Sequence, residues 1–121
     1  MIKSFSPDSS GFCRLFKSDG WQIATITYDK GYSKEGFDHM KKHLTTDEVF
    51  VLIKGSAILH TFDNNTLVTT NIETGKIYCV YKNTWHYLEV SHDALIAVAE
   101  NSDLLPETTE RMELTCLLQN K

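Results

Sequence analysis

Glu48-Val49-Phe50-Val51-Leu52-Ile53 is the stretch on which the fold turns. Every residue after Glu48 is apolar, so an extended segment here has both faces covered and reads as a strand internal to a packed sheet. Lys54-Gly55-Ser56 then turns the chain into a second strand, Ala57 to Phe62. Asp63-Asn64-Asn65 is a turn by composition, because Asn tolerates positive φ. Thr66 to Ile72 follows, closed by Glu73-Thr74-Gly75, and Ile77 to Tyr81, Trp85 to Val90 and Ala94 to Glu100 continue the series. Upstream, Phe12 to Phe16 ends at Ser18-Asp19-Gly20 and leads into Trp21 to Tyr28, with Gln22, Ala24, Ile26 and Tyr28 on one face. Asp29 to Thr46 shows no helical period and reads as a long loop with a short strand from Met40 to Leu44. Short strands at regular spacing with turn signals between them predict an all-β sandwich or barrel. Only the tail leaves a choice. Thr109 to Gln119 reads as a helix with Met112, Cys116 and Gln119 on one stripe, or as a final strand from Glu113 to Leu118.

The 121 residues suit a single domain over 1–121. Hydrophobic residues at 41% are enough for a packed core and argue against disorder. Twelve Lys and Arg against sixteen Asp and Glu give a net charge of −4, which argues against a nucleic-acid partner, since phosphate recognition needs a basic face. No stretch is long and apolar enough to span a bilayer, and the N-terminus lacks the apolar core of a signal peptide, so no membrane partner and a cytoplasmic location are expected. Cys13, Cys79 and Cys116 include no C-x-x-C pair; Cys13 and Cys79 lie in apolar patterns and are expected to be buried. Trp21 and Trp85 read foremost as core residues, and Trp85 has a second reading as a pocket wall. Open sheet edges are a liability that barrel closure or dimerisation removes, so a barrel forming a homodimer is expected.

His43, Glu48 and His86 are the candidate site. His43 and Glu48 flank the turn Leu44-Thr45-Thr46-Asp47, which can bring the end of one strand beside the start of the next. His86 lies on a later strand. Two imidazoles and a carboxylate make a sufficient ligand set for Zn, Fe, Mn or Ni with positions left open. His39, His60 and His92 read as ordinary surface or strand residues.

These residues also carry a resemblance. His43, four residues, Glu48, six residues and Gly55 resemble the end of the first cupin motif. Gly75, five residues, Tyr81-Lys82-Asn83, two residues, His86, three residues and Val90 resemble the second. The two matched stretches span residues 40–90. The resemblance implies a double-stranded β-helix, the jelly-roll barrel, usually dimeric, with a site in the barrel mouth. Lys41 stands where the first motif has its earlier histidine, and a lysine is no ligand for a dication. His39 shares the strand parity of Lys41 and reaches the site only if the loop shifts. In the second motif Asn83 replaces Gly, Tyr81 replaces Pro and Val90 replaces Asn. Two states of the site stay open: a divalent metal on His43, Glu48 and His86, or a metal-free polar cluster in which Lys41 or His43 pairs with Glu48.

Two functions compete. One is a small-molecule-binding cupin barrel, with Lys41 holding an anionic group and Tyr81 and Trp85 as further binding residues. The other is a metal-dependent enzyme, an isomerase, lyase or dioxygenase acting on a small sugar or polar acid.

Overall fold

The computed structural model describes residues 1–119. Ten strands are present among the described residues: β1 (Phe12–Ser18), β2 (Trp21–Ile26), β3 (His39–His43), β4 (Glu48–Lys54), β5 (Ala57–Asp63), β6 (Thr66–Ile72), β7 (Ile77–Val80), β8 (Trp85–Val90), β9 (Leu95–Glu100) and β10 (Thr109–Glu113). They form two antiparallel sheets of five strands, ordered β1-β2-β9-β4-β7 and β10-β3-β8-β5-β6. β4 lies between β9 and β7 in its sheet, but only its inner face is buried: Val49 and Val51 are half-buried and Ile53 is 51% exposed, so the expected cover on both faces is not met.

The turns follow their residues. Asn64 and Asn65 both adopt positive φ (50° and 61°), the pattern of a two-residue hairpin turn whose twist matches its strands, and β5 pairs with β6 from Asp63↔Thr66 outward. Gly55 has φ +78°, and a Cβ there would lie 2.5 Å from the Ala94 Cα, so only glycine fits between β4 and β5. The tail splits: Thr109–Glu113 is a strand, β10, and only Leu114–Gln119 is helical, α1, so the helix is shorter than the expected Thr109 to Gln119 and a strand from Glu113 to Leu118 is not formed. Met112 and Cys116 are exposed; Leu117 is the helical residue that is buried.

The main core lies between the sheets. Ala24 and Ile26 of β2, Phe50 and Leu52 of β4, and Ile96 and Val98 of β9 meet Leu59 of β5 and Leu88 and Val90 of β8. A second, smaller core covers the outer face of the other sheet. Met40, Phe62 and Tyr87 pack there under Leu117, with Phe37, Trp85 and Leu114 at the margin. His60 belongs to this outer layer rather than to a surface or cavity: it is buried, stacked on Phe37, and its Nε2 lies 3.1 Å from Glu89 Oε1.

Two further burial expectations are overturned. Cys79 is exposed, because β7 is an edge strand and its outward face has no covering layer. Trp21 is 47% exposed, since it opens β2 on the face opposite Gln22, Ala24 and Ile26, where it meets Phe16 edge to face. No helix among the described residues is long and apolar enough to cross a membrane.

Candidate metal centre and ligand cavity

Strand alternation places the site. On β3, Met40 is fully buried in the outer core and Lys42 sits 4.7 Å over the Trp85 ring, so His39, Lys41 and His43 face the other way, into the barrel. On β8, His86 points inward between Trp85 and Tyr87, which pack in the outer core, Tyr87 also contributing to the cavity lining. Glu48 opens β4 on the inner face shared with Phe50 and Leu52.

Two turns lock these strand ends together. Leu44 N donates to Thr108 O at 2.9 Å and Asn101 N donates to Thr46 Oγ1 at 3.0 Å, fixing the turn between His43 and Glu48. Asp47 Oδ1 accepts from Lys82 N at 2.9 Å, and Asn83 N donates to His43 O at 2.7 Å. Asn83 holds φ +68°, the left-handed conformation expected of the residue that replaces glycine in the second motif. The loop before His86 is thereby tied to the turn carrying His43 and Glu48.

The three side chains converge. His43 Nε2 lies 3.3 Å and His86 Nε2 3.0 Å from the same oxygen, Glu48 Oε1, and one ligand atom from each residue lies within 4.8 Å of the others. The remaining ring nitrogens are held from behind: His43 Nδ1 is 3.0 Å from Thr109 Oγ1 and His86 Nδ1 is 2.9 Å from Thr84 O. A carbonyl only accepts, so His86 Nδ1 carries a proton. In neutral His86, Nε2 then presents a lone pair toward Glu48 Oε1, an arrangement that needs a cation between the two atoms. A second proton on His86 or a metal ion satisfies it, and imidazoles with their far nitrogens anchored to oxygen acceptors are the usual preparation for metal ligation.

The electrostatics agree. Burial acts to raise the Glu48 carboxyl, but His43 and His86 overcome it and hold the group well below the usual carboxylate range. Burial likewise acts to lower His86, and Glu48 overcomes it and raises the imidazole above its ordinary value, although Lys41 nearby opposes the charge.

A cavity of about 860 Å³ opens beside this cluster, within the size range of small-molecule sites. Lys41 lines it, as does His39, which shares the strand parity of Lys41; His39 Nδ1 is 2.8 Å from Asp38 Oδ1. Tyr81 and Trp85 are not among the lining residues. Tyr81 follows the end of β7 and is 69% exposed, and Trp85 alternates with His86 and so faces the outer core.

Several lining residues escaped sequence reading. Glu100 ends β9 directly opposite Glu48, with Gln22 of β2 on its other side. Glu100 Oε2 accepts from Gln22 Nε2 at 3.3 Å, while its Oε1 is buried without a partner. Burial, then the Glu48 charge, pushes the Glu100 carboxyl up to about 7. Tyr32, in the short 3₁₀ turn Lys30–Tyr32, is raised above the ordinary phenol range by burial and then by Glu48, so it faces the cavity as a neutral hydroxyl. Arg111 and Thr109 enter the lining from β10. Parity with the buried Ile96 and Val98 was the available signal for Glu100.

No protein-family model and no curated protein matches the chain. Solved structures do. CapF, in a structure with the inhibitor 3-isopropenyl-tropolone, aligns with TM-score 0.67 and 19% identity over 92% of this chain and 34% of its own, so this chain spans about a third of CapF. The TDP-quinovose 3,4-ketoisomerase WlaRB from Campylobacter jejuni aligns with TM-score 0.62 and 17% identity over 81% of this chain and 74% of its own. A cupin-2 domain protein from Shewanella frigidimarina aligns with TM-score 0.55 and 16% identity over 79% and 82%. Together with the two-sheet barrel, these likenesses define the fold: it is that of the cupins. Its inner wall carries a compact His-Glu-His cluster.

Proposed function

We propose that this cupin barrel binds a divalent metal ion through His43, Glu48 and His86 and takes a small molecule into the adjoining cavity. The observation that carries the reading is the convergence of two Nε2 atoms on Glu48 Oε1 while both Nδ1 atoms are anchored behind. The donor set, two nitrogens and a carboxylate, suits Zn, Fe, Mn or Ni and leaves positions open to a ligand. Such an ion, when bound, supplies Lewis acidity toward a carbonyl or hydroxyl oxygen of the ligand. The chain's own contributions are separate: Thr84 O and Thr109 Oγ1 orient the imidazoles, Phe50 and Leu88 wall the cavity with apolar surface, and Lys41 lines it where a ligand can meet its charge.

A second reading is a metal-dependent enzyme acting on a small sugar or polar acid, with isomerase chemistry foremost. It is favoured by Glu100 and Tyr32, two proton-bearing groups that face the same cavity as the cluster. A homodimer and a cytoplasmic setting complete the proposal.

Elemental analysis of protein purified without chelator or added metal tests the metal reading, with near-stoichiometric metal expected. Thermal unfolding after chelation and re-addition of Zn(II), Ni(II), Mn(II) or Fe(II) is the second readout, because a ligand of the folded state raises the melting temperature. Absence of metal together with unchanged melting in all four overturns it.

A further inference from the structure

We propose that Lys41, with Arg111 beside it, forms an anion subsite, and that the cavity's ligand is a small organic acid or phosphate ester with a compact apolar or ring-shaped body. The inference deepens the metal-and-ligand reading above and rests on it for the location of the ligand.

Register supplies the first observation. Arg111 of β10 pairs with Lys41 of β3, and Lys41 pairs with His86 of β8, so one row across the sheet carries three nitrogen bases toward one cavity. His39 and His43 flank Lys41 on the same face of β3. Lys41 is the uncompensated member: among the described residues, no carboxylate oxygen lies within 4.0 Å of its ammonium. Arg111 is already aimed, its Nε 3.2 Å from Glu113 Oε1 and an Nη 3.9 Å from Asp38 Oδ1; both carboxylates are exposed. Exposed pairs of this kind contribute little and give way readily to a better-placed acid group.

The opposite wall supplies the second. Phe12, Ile26 and Phe50 line the cavity from the facing sheet, with Leu104, and Leu88 of β8 adds apolar surface beside them. A ligand held by its charge at Lys41 therefore lays its body on apolar and aromatic surface, with the His-Glu-His cluster beside its charged end. A cation on one side and apolar area on the other is the recognition pattern for an amphipathic anion.

The arrangement has a thermodynamic consequence. Lys41 sits directly across from His86, so its charge repels a metal ion held there. An anion on Lys41 cancels that repulsion. Anion and metal should therefore each strengthen the binding of the other by the same factor.

Titration calorimetry on the full chain tests this with benzoate and inorganic phosphate as probes and Ni(II) as the metal. Chelator-stripped wild type is expected to bind at least one probe. Lys41→Met should weaken that binding by about tenfold or more, the loss expected for one charge-assisted contact, and Lys41→Arg should retain most of it. Lys41→Met should also bind Ni(II) more tightly than wild type in the absence of anion, and lose the anion-dependent gain. Lys41 is exposed, so these variants leave the core untouched. Benzoate alone binding identifies a carboxylate ligand, and phosphate alone a phosphate ester. No binding of either probe, with or without Ni(II), overturns the subsite, as does a Lys41→Met protein that binds the probe as well as wild type. Probe binding that depends on Lys41 with no Ni(II) binding at all refutes the metal centre and leaves the subsite standing.

Discussion

Glu100→Gln should stabilise the metal-free protein, and only above the pH at which Glu100 ionises. Glu100 is 6% exposed, lies across from Glu48 and has one oxygen without a partner. Its carboxyl is pushed by burial, then by the Glu48 charge, from 4.5 up to about 7. The folded state therefore holds the proton more tightly than the unfolded state does, so stability falls as pH rises from about 4.5 to 7 and is then level with respect to this group. At about 1.36 kcal/mol per pH unit the full displacement corresponds to roughly 3 kcal/mol, and solvent entering the cavity mouth reduces this to about 2. A second route gives a similar figure: the glutamine amide can donate to the Glu48 carboxylate, and a hydrogen bond to a charged acceptor contributes about 1.5–3 kcal/mol. At pH 8 the variant should be about 2 kcal/mol more stable, a rise in melting temperature of roughly 6–10 °C for a domain of this size. At pH 4 the gain should vanish, because the wild-type carboxyl is already neutral. Urea unfolding with excess chelator at the two pH values measures both numbers. An equal effect at pH 4 and pH 8, or a loss at pH 8, refutes the argument that a buried carboxylate pair destabilises the fold.

Glu48→Ala should abolish metal binding and cost about 3 kcal/mol or more, since it strips the shared partner from buried His86 and half-buried His43; chemical denaturation and metal titration read the two effects. Because Glu48 is held below its ordinary 4.5, its contribution is present above that pH and lost below it, and acid unfolding should begin there in wild type but not in Glu48→Gln. Met40→Ala should cost about 2–5 kcal/mol, as expected for a fully buried side chain, and should loosen α1, visible as faster amide exchange at Leu117. Gly55→Ala should destabilise by more than about 1 kcal/mol, because φ is positive and Ala94 occupies the Cβ position; a neutral result in denaturant titration would contradict the close approach. Light scattering should show a homodimer, and a single 13.8 kDa species would remove that expectation.

What was legible in the sequence follows a physical rule. His43 and Glu48 were readable because a short turn joins them, and His86 because a second turn of recognisable spacing precedes it. Each depends on local chain geometry. Asn83 was readable for the same reason, since left-handed tolerance is a property of the residue. Thr109 and Arg111 were not, because their place depends on β10 pairing with β3, and Thr109 meets His43 across a separation of 66 residues. Cys79 misled because Ile77 to Tyr81 has the composition of a buried strand, while burial is decided by its position at the sheet edge. The core reading of Trp85 is met at the margin of the outer core, while its pocket-wall reading failed because adjacency in sequence to His86 means opposite faces on a strand. Glu100 is the instructive omission: a charged residue in phase with Ile96 and Val98 faces inward by alternation alone.

The two sheets present opposite charges to one cavity. β3 and β10 contribute His39, Lys41, His43 and Arg111, while β4 and β9 contribute Glu48 and Glu100. Glu48 is satisfied by two imidazoles, but among the described residues Lys41 has no anionic partner and Glu100 Oε1 has no donor. An occupant that is wholly apolar leaves both in place, and the buried Glu100 oxygen left unpaired costs about 1–3 kcal/mol. An occupant with an acid group at one end and a hydroxyl at the other relieves both. The cavity thus discriminates by the polarity of the two ends of its ligand more than by the apolar wall between them, since that wall accepts any body of suitable size. Variants at Lys41 and Glu100 should therefore change which ligands bind, whereas trimming Leu104 should weaken all of them alike.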